Sequence, residues 1–189
     1  MDVRALQSTQ VLDCDGRAVR LASHWSSQTA VVVWLRHFGC LYCAEQARDL
    51  FAVAPRIERA GAALVLVGNG GAEHARSFRD RVTPGATVLT DPRLGSYRAI
   101  GARHGLLSTV GPRTWGHALR AWRRGARQST VKGHAFQQGA VLVMAPPNRV
   151  AYAHISSAAG DHAPVDAVLA ALEGDAASGS SERARSVAG

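Results

Sequence analysis

The sequence predicts an α/β domain, built as one central mixed sheet with helices on both faces and an N-terminal β-hairpin. Three observations lead there. Short apolar, mostly β-branched runs at residues 31–35, 64–67 and 87–89 alternate with stretches whose apolar residues recur at helical spacing. A fourth run, 141–144, is followed by Ala145-Pro146-Pro147-Asn148 and a fifth run, 150–155, as expected of an antiparallel pair. The dipeptide Asp15-Gly16 sits between Val11-Leu12 and Val19 to Leu21, which marks a tight hairpin over 8–22.

Each element has a local cause. The run 31–35 is continuous and β-branched, so it reads as a strand buried on both faces. Behind it, Cys43, Ala47, Leu50, Ala54 and Ile57 share one helical face. Pro55 should bend or shorten that helix, and Gly61 should close it. Gly68-Asn69-Gly70-Gly71 stops the second strand, and a short helix is expected over 72–82. After the third strand, Asp91 suits an N-cap and Pro92 the first helical position, with Gly101 and Gly105 as stops. Pro164 opens a last helix with Val165, Val168, Leu169 and Leu172 on one face and Gly174 as its end. Residues 175–189 are Ala, Ser, Gly and charge, the composition of a disordered tail. The expected organisation is thus one domain, 1–174, and a tail.

Composition narrows the function classes. Hydrophobic residues make up 47% of 189, enough for one ordinary core. No run of about 18 apolar residues exists, so no membrane span is expected. Arg17, Arg20 and His24 interrupt any secretory apolar stretch near the start, so the expected compartment is the cytoplasm. The net charge is +8, but 21 of the 22 basic residues are arginine and they are scattered. That pattern fits compositional drift better than a nucleic-acid footprint.

The segment with the most chemistry is Arg36-His37-Phe38-Gly39-Cys40-Leu41-Tyr42-Cys43, a C-x-x-C at a strand-to-helix junction. The thiolate is the nucleophile, and helix N-termini favour it through unpaired N–H groups and the helix dipole. Cys40 at the helix start is therefore the expected attacking thiol, and Cys43, one turn deeper, the resolving one. Arg36 and His37 alternate along the strand and face opposite ways, and Arg36 is the better candidate for the supporting charge. Two buried small apolar cysteines, or a zinc site from His37, Cys40 and Cys43 with a distant fourth ligand, are the competing readings. No metal is expected, because no second C-x-x-C or H-x-x-x-H supplies the fourth ligand. Cys14 reads as a passive hairpin residue, with a second resolving thiol as its alternative.

The same loop, within "VVVWLRHFGCLYCAEQARDL" at 31–50, resembles the peroxiredoxin-like branch of the alkyl hydroperoxide reductase/thiol-specific antioxidant superfamily, with its R-H-F-x-C-x-x-C-x-E motif. The likeness continues through "LVLVGNG" (64–70), "TDPRLGSYRAIG" (90–101) and "FQQGAVLVM" (136–144), and spans about residues 8–173. It implies a thioredoxin-like fold and a thiol-dependent oxidoreductase or antioxidant activity with C-x-x-C as the working pair. One animal branch of that family contains prostamide/prostaglandin F synthases. Two departures stand out. Typical peroxiredoxins carry Thr or Ser three residues before the peroxidatic cysteine, with a Pro further upstream. Here Cys40 stands three before Cys43 and no Pro precedes it, a register in which the two thiols would exchange roles. Thioredoxins place a cis-Pro beside the dithiol, where this chain has Gln137-Gln138-Gly139. That favours a small oxidant, with His37, Gln138 and the Gly139 backbone as candidate substrate-binding groups.

No nucleotide fingerprint is present, since Gly68-Asn69-Gly70-Gly71 lacks the third spaced glycine. No tightly bound cofactor is expected. Electrons should come from an external thiol reductant, either a thioredoxin-like protein or a low-molecular-weight thiol. A peroxide is the expected small oxidant. Residues 104–135 stand as an insertion in the family-like layout. Within them, 111–127 are amphipathic, with Trp115, Ala118, Leu119, Trp122 and Ala126 on one face and Arg113, Arg120, Arg124 and Arg127 on another. Packing on the fold, a lid, a homodimer contact or a binding face are the open roles. The alternatives are a redox-silent module of this fold that binds through this helix, and a thiol-disulfide oxidoreductase acting on proteins.

Overall fold

A computed structural model describes residues 1–102, 137–157 and 160–187, with side chains as far as residue 177. The expected insertion 104–135, its amphipathic helix and Gly105 therefore lie outside the described residues.

Among the described residues, seven strands form one sheet: β1 (Gln10–Leu12), β2 (Ala18–Arg20), β3 (Thr29–Trp34), β4 (Ala62–Gly68), β5 (Thr87–Thr90), β6 (Ala140–Ala145) and β7 (Arg149–Ile155). Their order is β2-β1-β5-β4-β3-β6-β7. The parallel centre is β5-β4-β3, and β6 and β7 add to β3 antiparallel. The N-terminal hairpin docks antiparallel on the far edge, where Leu12 pairs Thr90. This is the mixed, thioredoxin-like sheet that the sequence predicts.

Strand β3 lies near the middle because nothing in it needs water. Val31 and Val33, with Leu35 just beyond, pack on one face, and Val32 and Trp34 on the other. The first face is covered by α2 (Leu41–Ala52), α3 (Ala54–Arg59), α4 (Ala72–Val82) and α6 (Val165–Val187), through Leu50, Ile57, Phe78 and Leu172 among others. The second is covered by α1 (Val3–Ser8), a 3-10 turn (Leu21–Trp25) and α5 (Gly95–Ile100), through Leu6, Trp25, Tyr97 and Ile100. Truncating one such fully buried leucine to alanine costs about 2–5 kcal/mol. No described helix is long and apolar enough to cross a membrane.

Three expectations change. Asp91 does not cap a helix at Pro92. The chain first turns through Leu94 in the left-handed region (φ 56°), and α5 begins at Gly95. The Asp91 carboxylate reaches forward instead and accepts from Ser96 N and Ser96 Oγ, both at 2.7 Å. Gly174 does not end the last helix, and the stretch read as a disordered tail continues it to Val187. The glycine costs about 1 kcal/mol relative to alanine. Asp175 offsets it by accepting from Thr29 Oγ1 at 2.9 Å and pairing with Arg149, while Ala176 and Ala177 favour the helix. The short helix α1 is an addition that the sequence reading lacks, capped by Asp2, whose Oδ1 accepts from Ala5 N at 3.0 Å.

Pro55 acts as expected. Helix α2 stops at Ala52 and α3 restarts with Pro55 in its first turn.

Candidate active site

The dithiol sits where β3 gives way to α2, at the carboxyl end of the parallel strands. Leu35 N still donates to Val67 O at 2.8 Å, so the parallel ladder runs one residue past β3. The loop 36–39 then turns into the helix. Cys40 has extended backbone geometry and is the N-cap of α2. Its sulfur accepts from Cys43 N at 3.4 Å, the place usually taken by a Ser or Asp oxygen. Cys43 lies in the first turn, on the face that α2 buries with Gln46, Ala47 and Leu50, and its sulfur accepts from Arg36 N at 3.2 Å.

Both sulfurs are nearly closed off from solvent, Cys40 and Cys43 each at 5% exposure, and all three cysteines are free. Their ionisation diverges. Cys40 is pulled down from an ordinary thiol to about 7. The main cause is the Cys43 thiol donating to it. Burial works the other way, and the backbone N–H groups of Cys43 and Tyr42 and the Arg36 charge add to the lowering. Cys43 is pushed well above the ordinary thiol value, first by burial and then by donating to the Cys40 sulfur. Of the two, Cys40 is thus the sulfur that gives up its proton first, with the Cys43 thiol as its donor.

Arg36 is buried, and its Nε donates to Gln137 O at 3.1 Å. Its charge lowers both thiols. His37 is held down to about 4, by burial first and by Arg36 second, so it is neutral at pH 7. Its Nδ1 accepts from Gly39 N at 3.2 Å, and its carbonyl accepts from Cys40 N at 3.1 Å. His37 therefore shapes the loop. Gly139, just before β6, lies against the same arginine: a Cβ there would come within 2.6 Å of Trp34 O and 3.7 Å of Arg36 Cγ. Gln138 is buried, and neither its Oε1 nor its Nε2 has a hydrogen-bond partner. Neither Gln138 nor Gly139 makes a hydrogen bond to a sulfur among the described residues. Among those residues, no three His, Cys, Asp or Glu side chains gather as a metal site.

Sequence reasoning missed the supports of this loop. Phe38 packs over the end of β4, where a Cβ on Gly68 would fall 2.2 Å from its ring, and it meets Phe78 at 5.5 Å between centroids. Gly68 is therefore a seat for Phe38 as well as a strand end. Asn69 Nδ2 donates to Arg36 O at 2.5 Å, and Tyr97 Oη donates to Leu35 O at 2.5 Å. The signal was the "GNG" after β4, read as a turn only. Cys14 belongs to the same apolar cluster, yet its thiol donates to Val88 O at 3.2 Å.

The family model described as "AhpC/TSA antioxidant enzyme" matches residues 49–157. The thioredoxin-like protein AAED1, chloroplastic, of Arabidopsis thaliana is 31% identical over 176 residues, covering 88% of this chain and 71% of that one. The chain belongs to the AhpC/TSA antioxidant enzyme family. The family match begins after Cys43, so it covers β4–β7 and α3–α5 and not the dithiol itself. A second family relative, the prostamide/prostaglandin F synthase of Sus scrofa, is 30% identical over 162 residues, covering 83% of this chain and 80% of its own. Among solved structures, Xanthomonas campestris Peroxiredoxin Q superposes with a TM-score of 0.66 at 18% identity, over 92% of this chain and 94% of that one, which shows the shared fold.

Proposed function

We propose that this member of the AhpC/TSA family is a dithiol peroxidase that reduces a small peroxide at Cys40. The Cys40 thiolate attacks the O–O bond. One oxygen stays as the sulfenic acid, and the other leaves as an alkoxide or hydroxide that takes a proton from solvent. The Cys43 sulfur then attacks the sulfenic sulfur, forms the Cys40–Cys43 disulfide and releases water. Two electrons from a thioredoxin-like protein or a low-molecular-weight thiol restore the dithiol. The observation that carries this reading is the place of the Cys40 sulfur, at the N-cap of α2 and accepting from Cys43 N; the opposite directions of the two thiol pKa values agree with it.

Arg36 is the catalytic cation in this scheme. It keeps the Cys40 thiolate charged and faces the charge that develops on the departing oxygen. Gln138, with its buried amide unpaired, and the Gly139 backbone are the groups assigned to the peroxide, and His37 sets the loop. A reducing compartment such as the cytosol suits a dithiol that works from its reduced state. Peroxide-bearing lipids belong among the substrates to test, since one relative is named for prostaglandin F synthesis.

The test is a stopped-flow reaction of the reduced protein with hydrogen peroxide and with an alkyl hydroperoxide, followed by a thiol count. Two thiols lost per chain, and none lost in Cys40→Ser, is the expected result. A sulfenic acid trapped at Cys43 in that variant would instead assign the attack to Cys43. Rapid reduction of a protein disulfide with no reaction toward peroxides would place the chain among the disulfide reductases.

A further inference from the structure

Tyr97 places a hydroxyl beneath the dithiol loop, on the Leu35 carbonyl, and the peroxidase scheme leaves it without a task. It is fully buried in α5. Its hydroxyl donates to Leu35 O at 2.5 Å, with Val67 O 3.0 Å away. Leu35 C=O and Arg36 N–H are the two ends of one peptide group. The N–H end of that peptide donates to Cys43 Sγ at 3.2 Å. A continuous chain therefore runs from the phenol, through one amide, to the sulfur expected to resolve.

The surroundings hold this chain rigid. Ser96 Oγ donates to Asp91 Oδ2 at 2.7 Å and accepts from Trp34 Nε1 at 3.0 Å, which pins α5 to β3. Asn69 anchors the next carbonyl, Arg36 O. Hydrogen bonds in series polarise one another, most strongly where water is excluded. A donor on the carbonyl makes the opposite N–H a better donor.

We propose that Tyr97 is a positioning residue for the resolving step, because its hydroxyl polarises and fixes the Leu35–Arg36 peptide whose N–H favours negative charge on Cys43. This rests on the peroxidase reading given above. In the reduced enzyme the Cys40 thiolate opposes ionisation of Cys43. Once Cys40 is a neutral sulfenic acid, that opposition is gone. The Cys43 proton then leaves with the sulfenic hydroxyl as water, while the S–S bond forms and the S–O bond breaks. The charge passing through Cys43 meets the Arg36 N–H and the Arg36 guanidinium. The titratable or charged groups acting on Cys43 are Cys40 and Arg36, with Tyr97 across the peptide.

Tyr97→Phe removes one oxygen and keeps the ring. It is expected to slow disulfide closure about two- to tenfold, the size of one hydrogen bond, with formation of the Cys40 sulfenic acid slowed much less. Both steps are read in one stopped-flow trace with a sulfenic-acid trap. A second readout needs no peroxide. In a Cys40→Ser background, the 240 nm absorbance of the Cys43 thiolate is titrated with and without Tyr97→Phe. The thiolate fraction at fixed pH should fall by about two- to tenfold. Site-specific 3-fluorotyrosine at position 97, a stronger donor, should move both readouts the opposite way, and it decides the matter if the Phe variant does not fold. Equal slowing of both steps, or unchanged Cys43 titration, overturns the role of Tyr97. Failure of Cys40 to react with peroxide overturns the peroxidase reading alone, since the Cys43 titration stands without it.

Discussion

The hairpin cysteine and the loop cysteines make an instructive pair of regions. Cys14 and Cys40 are almost equally buried, at 6% and 5% exposure, and they share one apolar cluster. Burial alone raises both. What separates them is the direction of their hydrogen bonds. Cys14 donates its proton to a backbone carbonyl, Val88 O, which stabilises the thiol. Cys40 accepts from backbone N–H groups at the start of α2, takes a further donor in the Cys43 thiol and lies in the field of Arg36. A buried cysteine becomes reactive when the protein offers it donors, and stays inert when offered an acceptor.

That contrast has measurable consequences. Replacing Cys40 by Ser should lower peroxide consumption by at least about 10³-fold, because the nucleophile itself is lost. Steady-state peroxide assays with a thiol reductant check this. Gly68→Ala should be the most damaging change outside the sulfurs, since the added methyl falls inside the Phe38 ring. A loss of about 1–3 kcal/mol of stability is expected from such overpacking, read by chemical denaturation, together with slower Cys40 alkylation as the loop shifts. Arg36→Gln keeps a polar group but removes the charge, so the Cys40 ionisation should move up. Alkylation of Cys40 near pH 6 should then slow by about tenfold or less, with little change at pH 9. Cys14→Ser is expected to do least. A serine hydroxyl can still donate to Val88 O, so peroxide turnover should stay within about twofold. A larger loss would make Cys14 part of the redox chemistry.

Much of this was legible in the chain. The β-branched runs of β3, β4 and β6 are buried on both faces and had to be central strands, and the Asp15-Gly16 hairpin could be placed because Gly16 takes a positive φ (82°). The C-x-x-C was visible because two cysteines at that spacing follow a strand. The N-cap role of Cys40 followed from its place before an amphipathic helix. The supports of the loop were not legible. Gly68, Asn69 and Tyr97 lie 30, 33 and 62 residues beyond their partners Phe38, Arg36 and Leu35, and only the parallel pairing of β3 with β4 and the docking of α5 bring them under residues 35–38. The start of α5 was misplaced because Asp91 has two ways to use its carboxylate, and the Ser96 hydroxyl supplied the competing one. The end of α6 was misplaced because Asp175 finds Thr29 and Arg149, both distant in sequence.

Site-resolved alkylation against pH is the most direct trial of the account. Reduced protein is pulsed with iodoacetamide from pH 5 to pH 10, and each cysteine is followed by mass spectrometry. Cys40 should reach half its limiting rate near pH 7, while Cys14 and Cys43 rise only above the ordinary thiol range near 9. If all three cysteines follow one curve with its midpoint near that of a free thiol, the helix start does not hold a thiolate at position 40 and the proposed chemistry has no nucleophile.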